Sequence, residues 1–304
     1  MISPPRWSAA QLEAVRDRAE QAFRNKRFSE PVEIYERRID EYRSAVAEMF
    51  RSTRDLRNLQ SSDRAILTDD TSRTVYRYLF GPPISDDDLK VIANARSFSE
   101  SFLARNGETV ERLLQFAAQW HDRRRFPWLS SDRAPTSAER DAAILATSVL
   151  LAVRRLETER RSADSATQEM HVAEALDGIG FRQTPRRPIR NIVDAPEPGA
   201  YCRESLFGPH KADFVVTLRD RRIMPMECKV SNSSTNSIKR LNKEAAGKAE
   251  TWLSEFGHRH VVPAAVLDGV FKVSNLVDAQ DRGLTLFWSH DLAAMSNWIS
   301  SAHT

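Results

Sequence analysis

The sequence predicts an α/β fold in which a mixed β-sheet flanked by helices follows an all-helical N-terminal region. Over residues 1–160 apolar side chains recur at helical spacing. After that the pattern changes: short apolar runs bounded by turn residues alternate with helical segments, an order that lays helices on a sheet. The chain has 304 residues, enough for one large or two ordinary domains with a sizeable core.

The elements follow in order. "SAAQLEAVRDRAEQAFRNKRF" offers Ser8 as an N-cap and then repeats apolar residues at helical spacing. "PVEIYERRIDEYRSAVAEMFRSTRDLRNL" opens with Pro31, suited to a first helical position. "GPPISDDDLKVIANARSFSESFLARN" supplies a turn, then Ser85 and a run of acids for a helix start. "ETVERLLQFAAQWHDRRRFPWL" and "TSAERDAAILATSVLLAVRRLETERR" complete the helical region, the apolar stretch 141–153 being expected as a buried helix. The polar stretch 157–169 is expected to join the two halves, placing domains at 1–160 and 161–304. In the second half, "QEMHVAEALDGIGFRQTP" predicts a helix ending near Gly178 or Gly180, then a short strand. "KADFVVTLRDRRIMPMECKV" is two apolar runs around a charged turn at 218–222, a β-hairpin. "TNSIKRLNKEAAGKAETWLSEFG" is an amphipathic helix stopped by Gly257. "RHVVPAAVLDGVF" and "GLTLFWS" are strands, and "HDLAAMSNWISSA" is a final helix. The predicted order is α-β-β-β-α-β-β-α.

Composition excludes several classes. Apolar residues make up 41% and charged residues 29%, a globular balance. No apolar run approaches the roughly 20 residues of a membrane helix. The N-terminus lacks a basic-then-apolar leader pattern, so a cytoplasmic protein is expected. Two cysteines, Cys202 and Cys228, cannot build a disulfide framework or a cysteine zinc site and are expected as reduced thiols. The net charge of +3 is compatible with nucleic acid but too small to argue for it.

The chemistry-bearing residues lie in the hairpin. Asp213 opens its first strand and Glu227 closes its second, 14 positions later. A turn centred on Asp220 places them directly opposite, with Cβ atoms about 5 Å apart. Two carboxylates that close repel unless a cation lies between them. A hard divalent ion such as Mg²⁺ suits such an oxygen pair. Alternation puts Lys229 on the same face as Glu227, with Met226, Cys228 and Val230 facing the core. Lys229 would then orient or help activate a metal-bound water, and the reaction class is metal-assisted phosphodiester hydrolysis. A register slip of one residue would separate Asp213 from Glu227, and a solvent-facing Glu–Lys pair is the plainer alternative. Pro225 implies an edge position or a bulge.

Asp213, the spacer and "ECK" at 227–229 resemble the PD-(D/E)xK nuclease signature, and the predicted element order resembles that superfamily's core. The chain departs from it where Ala212 precedes Asp213 in place of the usual proline. A longer stretch, "MECKVSNSSTNSIKRLNKEAAGKAETW", is similar to restriction endonucleases of the XamI type. The resemblance implies a type II restriction endonuclease that cuts a short, palindromic site in double-stranded DNA with Mg²⁺. It further implies a homodimer, a helical region serving DNA grip or dimerisation, and a DNA methyltransferase in the same cell with which no stable complex forms. Superfamily members often add an acid from the first core helix, where this chain offers Glu169 and, better placed, Glu174.

After Lys229 come Ser231, Asn232, Ser233, Ser234, Thr235, Asn236 and Ser237, then Lys239, Arg240, Asn242 and Lys243. The polar loop can cap the next helix or meet base edges. A cationic first turn opposes the helix dipole, which a nearby phosphate backbone would offset. Arginine runs at 123–125 and 186–190 are further phosphate candidates. His258 and His260 lack zinc spacing and are expected at the surface. Two other readings share these residues: a repair or modification-dependent nuclease of the same fold, and a non-catalytic DNA-binding protein on a decayed one.

Overall fold

A computed structural model describes residues 2–59 and 64–303; for residues 118, 234 and 236 it describes the backbone alone. The chain forms two compact units, one from residues 31–159 and the other from residues 1–30 together with 160–304.

The 31–159 unit is helical. It holds α2 (Val32–Ser52), α3 (Ala65–Thr68), α4 (Asp70–Arg77), α5 (Asp86–Ala93), α6 (Glu100–Arg105), α7 (Gly107–Trp120), α8 (Pro127–Ser130) and the start of α9 (Ser137–Gly178). Pro31 stands at the N-cap of α2, one place before the expected position. Ser85 caps α5 in a reciprocal box with Asp88, as its spacing predicts. The core centres on Phe50, Phe126 and Trp128, packed edge to face at about 6 Å. The apolar stretch 141–153 is helical but only half covered: Ala143, Ile144, Leu151 and Ala152 are buried, whereas Leu145, Leu150 and Val153 are exposed.

The polar stretch 157–169, expected as a linker, is instead helix, inside the single 42-residue α9. It contains no glycine or proline to stop the helix. Its polar side chains are also bound. Asp164 accepts from Arg27 at 2.8 Å and pairs with Lys26 at 2.6 Å. Gln168 donates to the Val266 carbonyl at 2.9 Å and to Ser289 Oγ at 2.8 Å.

The second unit is built on a six-stranded mixed sheet in the order β1–β2–β3–β4–β5–β6. Its strands are β1 (Arg182–Gln183), β2 (Ala200–Phe207), β3 (His210–Thr217), β4 (Ile223–Ser231), β5 (Ala264–Gly269) and β6 (Thr285–Trp288). β2, β3 and β4 are antiparallel; β4, β5 and β6 are parallel, as are β1 and β2. Between β4 and β5 run α10 (Ser234–Ser237), a π-helical segment Ile238–Ala246 and α11 (Gly247–Phe256). The helix expected here is present and ends at Gly257, but its middle is wound more widely. Helix α12 (Val273–Asp281) joins β5 to β6, and α13 (Leu292–Ser301) closes the chain.

Helices cover both faces. Val172 and Leu176 of α9, with Met295 and Ile299 of α13, pack on Phe214, Met226, Cys228 and Val266. On the other face Leu241, Ala245 and Ala249 pack on Ala265 and Leu267, joined by Leu12, Val15 and Ala19 of α1 (Ala9–Phe28). Thus α1, capped by Ser8 as expected, belongs with the sheet and not with the helices that follow it.

Two expectations are corrected. Strand β2 and helix α12 were not foreseen, so two elements join the predicted order. Pro225 is neither at an edge nor in a bulge: β4 lies between β3 and β5, with Pro225 opposite Val215. The Ile223 amide donates to His260 O on the β5 side, and alternation turns the Pro225 nitrogen the same way. That is the gap before the first regular β4–β5 pair, Met226–Ala264, so no ladder bond is lost. Among the described residues, no helix is long and apolar enough to cross a membrane.

Candidate active site

The β3–β4 register decides which side chains meet. Phe214 pairs with Met226, Val215 with Pro225 and Val216 with Met224, the register that continues to Asp213 opposite Glu227. At that place a side chain replaces the backbone pair: Asp213 Oδ2 accepts the Cys228 N–H at 2.7 Å. On the other side of β3, the position facing Asp213 falls at Glu204, whose φ of +49° distorts β2 locally. Asp213 is therefore held by its carboxylate at a break in the ladder.

Glu227 points to the face covered by α11 and is fully buried. A buried carboxylate needs partners. It has two. Lys229 Nζ lies 2.7 Å from Glu227 Oε2 and 3.8 Å from Asp213 Oδ2, so it bridges the two acids. Lys248 of α11 donates to both Glu227 oxygens, at 2.9 and 2.8 Å, and to the Lys211 carbonyl at 2.7 Å. Burial alone lowers the pKa of Lys229, but Glu227 and Asp213 beside it, with a smaller contribution from Glu244, leave it above the usual lysine value. Lys229 is thus an ammonium at neutral pH. On the opposite face the Cys228 thiol is pushed well up by burial, and Cys202 is likewise raised; both are free and buried.

The spacing thus brings Asp213, Glu227 and Lys229 together, and it missed Lys248. The signal was available: Lys248 sits on the inward stripe of α11, between Ala245 and Trp252, where an apolar residue would be expected. Glu244 was missed for the opposite reason, since its exposed position looks like any solvated helix charge. The structure does not bring Glu174 to this group. It stands exposed on α9, which covers the other face of the sheet. Glu169, one turn earlier, pairs with Arg203 at 3.0 Å.

The residues expected to meet DNA divide in three. Asn232, Thr235, Lys239 and Lys243 are exposed, while Ser233 is half-buried. The side chains of Ser234 and Asn236 lie outside the described residues. Asn242 is buried and donates to Asn275 O at 3.0 Å and to Asp278, so its amide is spent on holding α12. Arg240 donates to the Val230 carbonyl at 2.5 Å, tying the helix to the end of β4. Arg161, Asn232, Lys239 and Arg240, with Glu244, line a cleft of about 290 Å³ at that strand end. Of the arginine runs, Arg125 is taken up internally by Asp122 and Thr147, Arg187 donates to Ala195 O, and Arg123, Arg124, Arg186 and Arg190 are exposed. His258 and His260 are exposed, as expected.

Asp213 and Glu227 supply hard oxygen donors, against which two ammonium groups, Lys229 and Lys248, already lie. Among the described residues no group of three or more His, Cys, Asp or Glu side chains could hold a metal, so this site offers two carboxylates from the described residues. That sparse set fits an ion that keeps water and takes further oxygens from a phosphate.

Comparison with known proteins gives the family. The type II restriction enzyme XamI of Xanthomonas campestris pv. amaranthicola is 40% identical over 273 residues, covering 87% of this chain and 97% of that enzyme. The family described as XamI restriction endonuclease matches residues 57–288, a span that contains Asp213, Glu227, Lys229 and Lys248. The chain therefore belongs to the XamI restriction endonuclease family.

Proposed function

We propose that Asp213, Glu227 and Lys229 form the active site of the type II restriction endonuclease that family membership makes this chain, acting on a short palindromic site in double-stranded DNA. The observation that carries this is Glu227: a fully buried carboxylate in the middle of β4, where the regular β3–β4 pairing stops, register-opposed to Asp213 and bridged to it by Lys229.

The family implies a divalent metal cofactor, and we assign it as Mg²⁺, held by Asp213 and Glu227. Bound there it would lower the pKa of a water and offset charge developing on the scissile phosphate. The rest is done by the chain. Lys229, kept protonated, places a cation beside the reacting phosphate and orients the attacking water. Lys248 holds the Glu227 carboxylate in one rotamer. The Cys228 amide fixes Asp213. Asn232, Ser233 and Thr235 would approach the bases, and Lys239, Arg240 and Lys243 the backbone, the latter sequence-independent contacts that set register.

A palindromic target is matched by two-fold symmetry, hence a homodimer. Such an enzyme works in the cytoplasm beside a DNA methyltransferase that protects the same site. The test of the metal assignment is calorimetric titration with Mg²⁺ or Mn²⁺. Wild type should bind the ion and Asp213→Asn/Glu227→Gln should lose binding while keeping its fold. Undiminished binding by the double variant would move the metal elsewhere.

A further inference from the structure

The 31–159 unit carries a second polar concavity that the active site does not use. It is a cleft of about 530 Å³ lined by Arg77, Arg154 and Arg155, by Tyr42 and Tyr78, and by the hydroxyls of Thr74, Ser85 and Thr158. One acid, Asp88, lines it too, and Asp88 already accepts from the Ser85 amide at 3.4 Å in the α5 capping box. Three guanidinium groups therefore face one engaged carboxylate.

The hydrogen bonding of the wall is incomplete. The Tyr42 and Tyr78 hydroxyls have no partner among the described residues, although both rings are half-buried, and burial raises the pKa of each so that they remain donors. Arg77 Nε is buried without a hydrogen bond; Asp86 lies 3.2 Å away but out of line. The buried, unpaired Arg77 Nε costs free energy that a ligand of the right chemistry recovers, and the two half-buried hydroxyls stand ready to donate to it. Arg154 and Arg155 are held only by solvent-exposed pairs, to Glu157 at 3.6 Å and Glu159 at 2.7 Å, which rearrange at little cost. Planar guanidinium forks held only by ion pairs along the rim, beside two hydroxyls free to donate, suit an oxyanion with several oxygens.

We propose that this cleft binds a phosphate group, and that in the working enzyme the group is a backbone phosphate of the DNA. The second clause rests on the DNA-cleaving function above; the first does not. A phosphate seated here gives the helical unit a sequence-independent grip that adds to affinity and carries no base information.

The test uses the full chain as wild type, Arg154→Gln/Arg155→Gln and Tyr78→Phe, with folding checked by circular dichroism. Affinity for a duplex is measured across a salt series, and binding of inorganic tripolyphosphate by calorimetry. The expected result is that tripolyphosphate binds wild type, binds the arginine variant at least tenfold more weakly, and competes with duplex. The slope of log affinity against log salt should also be shallower by about 0.9 in the arginine variant, the loss of one phosphate contact. Tyr78→Phe should weaken both ligands without changing the slope. Loss of tripolyphosphate binding with an unchanged DNA slope would overturn the backbone source and leave a site for a free phosphate compound. Equal tripolyphosphate binding by wild type and the arginine variant would overturn the site. A wild type that binds no duplex at any salt would refute the DNA reading, while the tripolyphosphate arm would still decide the cleft.

Discussion

Glu227 is the most demanding residue in the molecule, because a fully buried carboxylate is tolerated only with its charge met in place. Lys229 alone reaches one oxygen, and Lys248 is needed to reach both. Lys248→Met should therefore cost stability as well as activity. Removing a charged hydrogen-bond donor from a buried acceptor costs about 1–3 kcal/mol. The check is a shift of the urea unfolding midpoint at unchanged slope. An unshifted midpoint would mean that Lys229 meets the Glu227 charge by itself. This residue shows the limit of reading a motif: Asp213, Glu227 and Lys229 are legible because alternation and a constant hairpin register are local rules. Lys248 comes from a separate helix, and only its misfit on an apolar stripe hinted at it.

At the scale of elements, local grammar identified most helices and most strands and failed where the physics was tertiary. Strand β2 was missed because Arg203 and Glu204 interrupt its apolar run, and in the fold Glu204 takes a left-handed backbone there while Arg203 pairs with Glu169. The polar stretch 157–169 looked like a linker because its partners, Lys26 and Arg27, lie far away in sequence. Pro225 looked like an edge signal, but which side of a strand its nitrogen faces depends on the neighbours. Helix α9 yields a prediction of its own. Glu139 accepts from Arg133 and from the Thr136 amide at the start of that helix, and these partners hold its pKa down at about 2. A carboxylate with a depressed folded pKa stabilises above its unfolded value, near 4.5, and loses that contribution as pH falls towards 2. Wild type should lose helical signal more steeply over that window than Glu139→Gln, followed by circular dichroism. Identical acid profiles would show that the box adds nothing.

For the whole molecule, the sequence indicated a helical region followed by a sheet, but not that α1 would pack on the sheet unit, since any amphipathic helix can serve either core. A palindromic site needs two active centres, so light scattering in the presence of a short cognate duplex should give a protein mass of about twice the 34.6 kDa chain. A mass of one chain would argue for sequential single-strand cuts. The central claim is tested most directly by digesting unmethylated phage DNA with Mg²⁺ using wild type, Asp213→Ala and Lys229→Ala. The account predicts discrete fragments with one shared end sequence from wild type, and a loss of about 10²–10³-fold or more in both variants, the scale set by removing a group that stabilises the transition state. Discrete cleavage that survives either substitution would contradict it and place the active centre elsewhere in the chain.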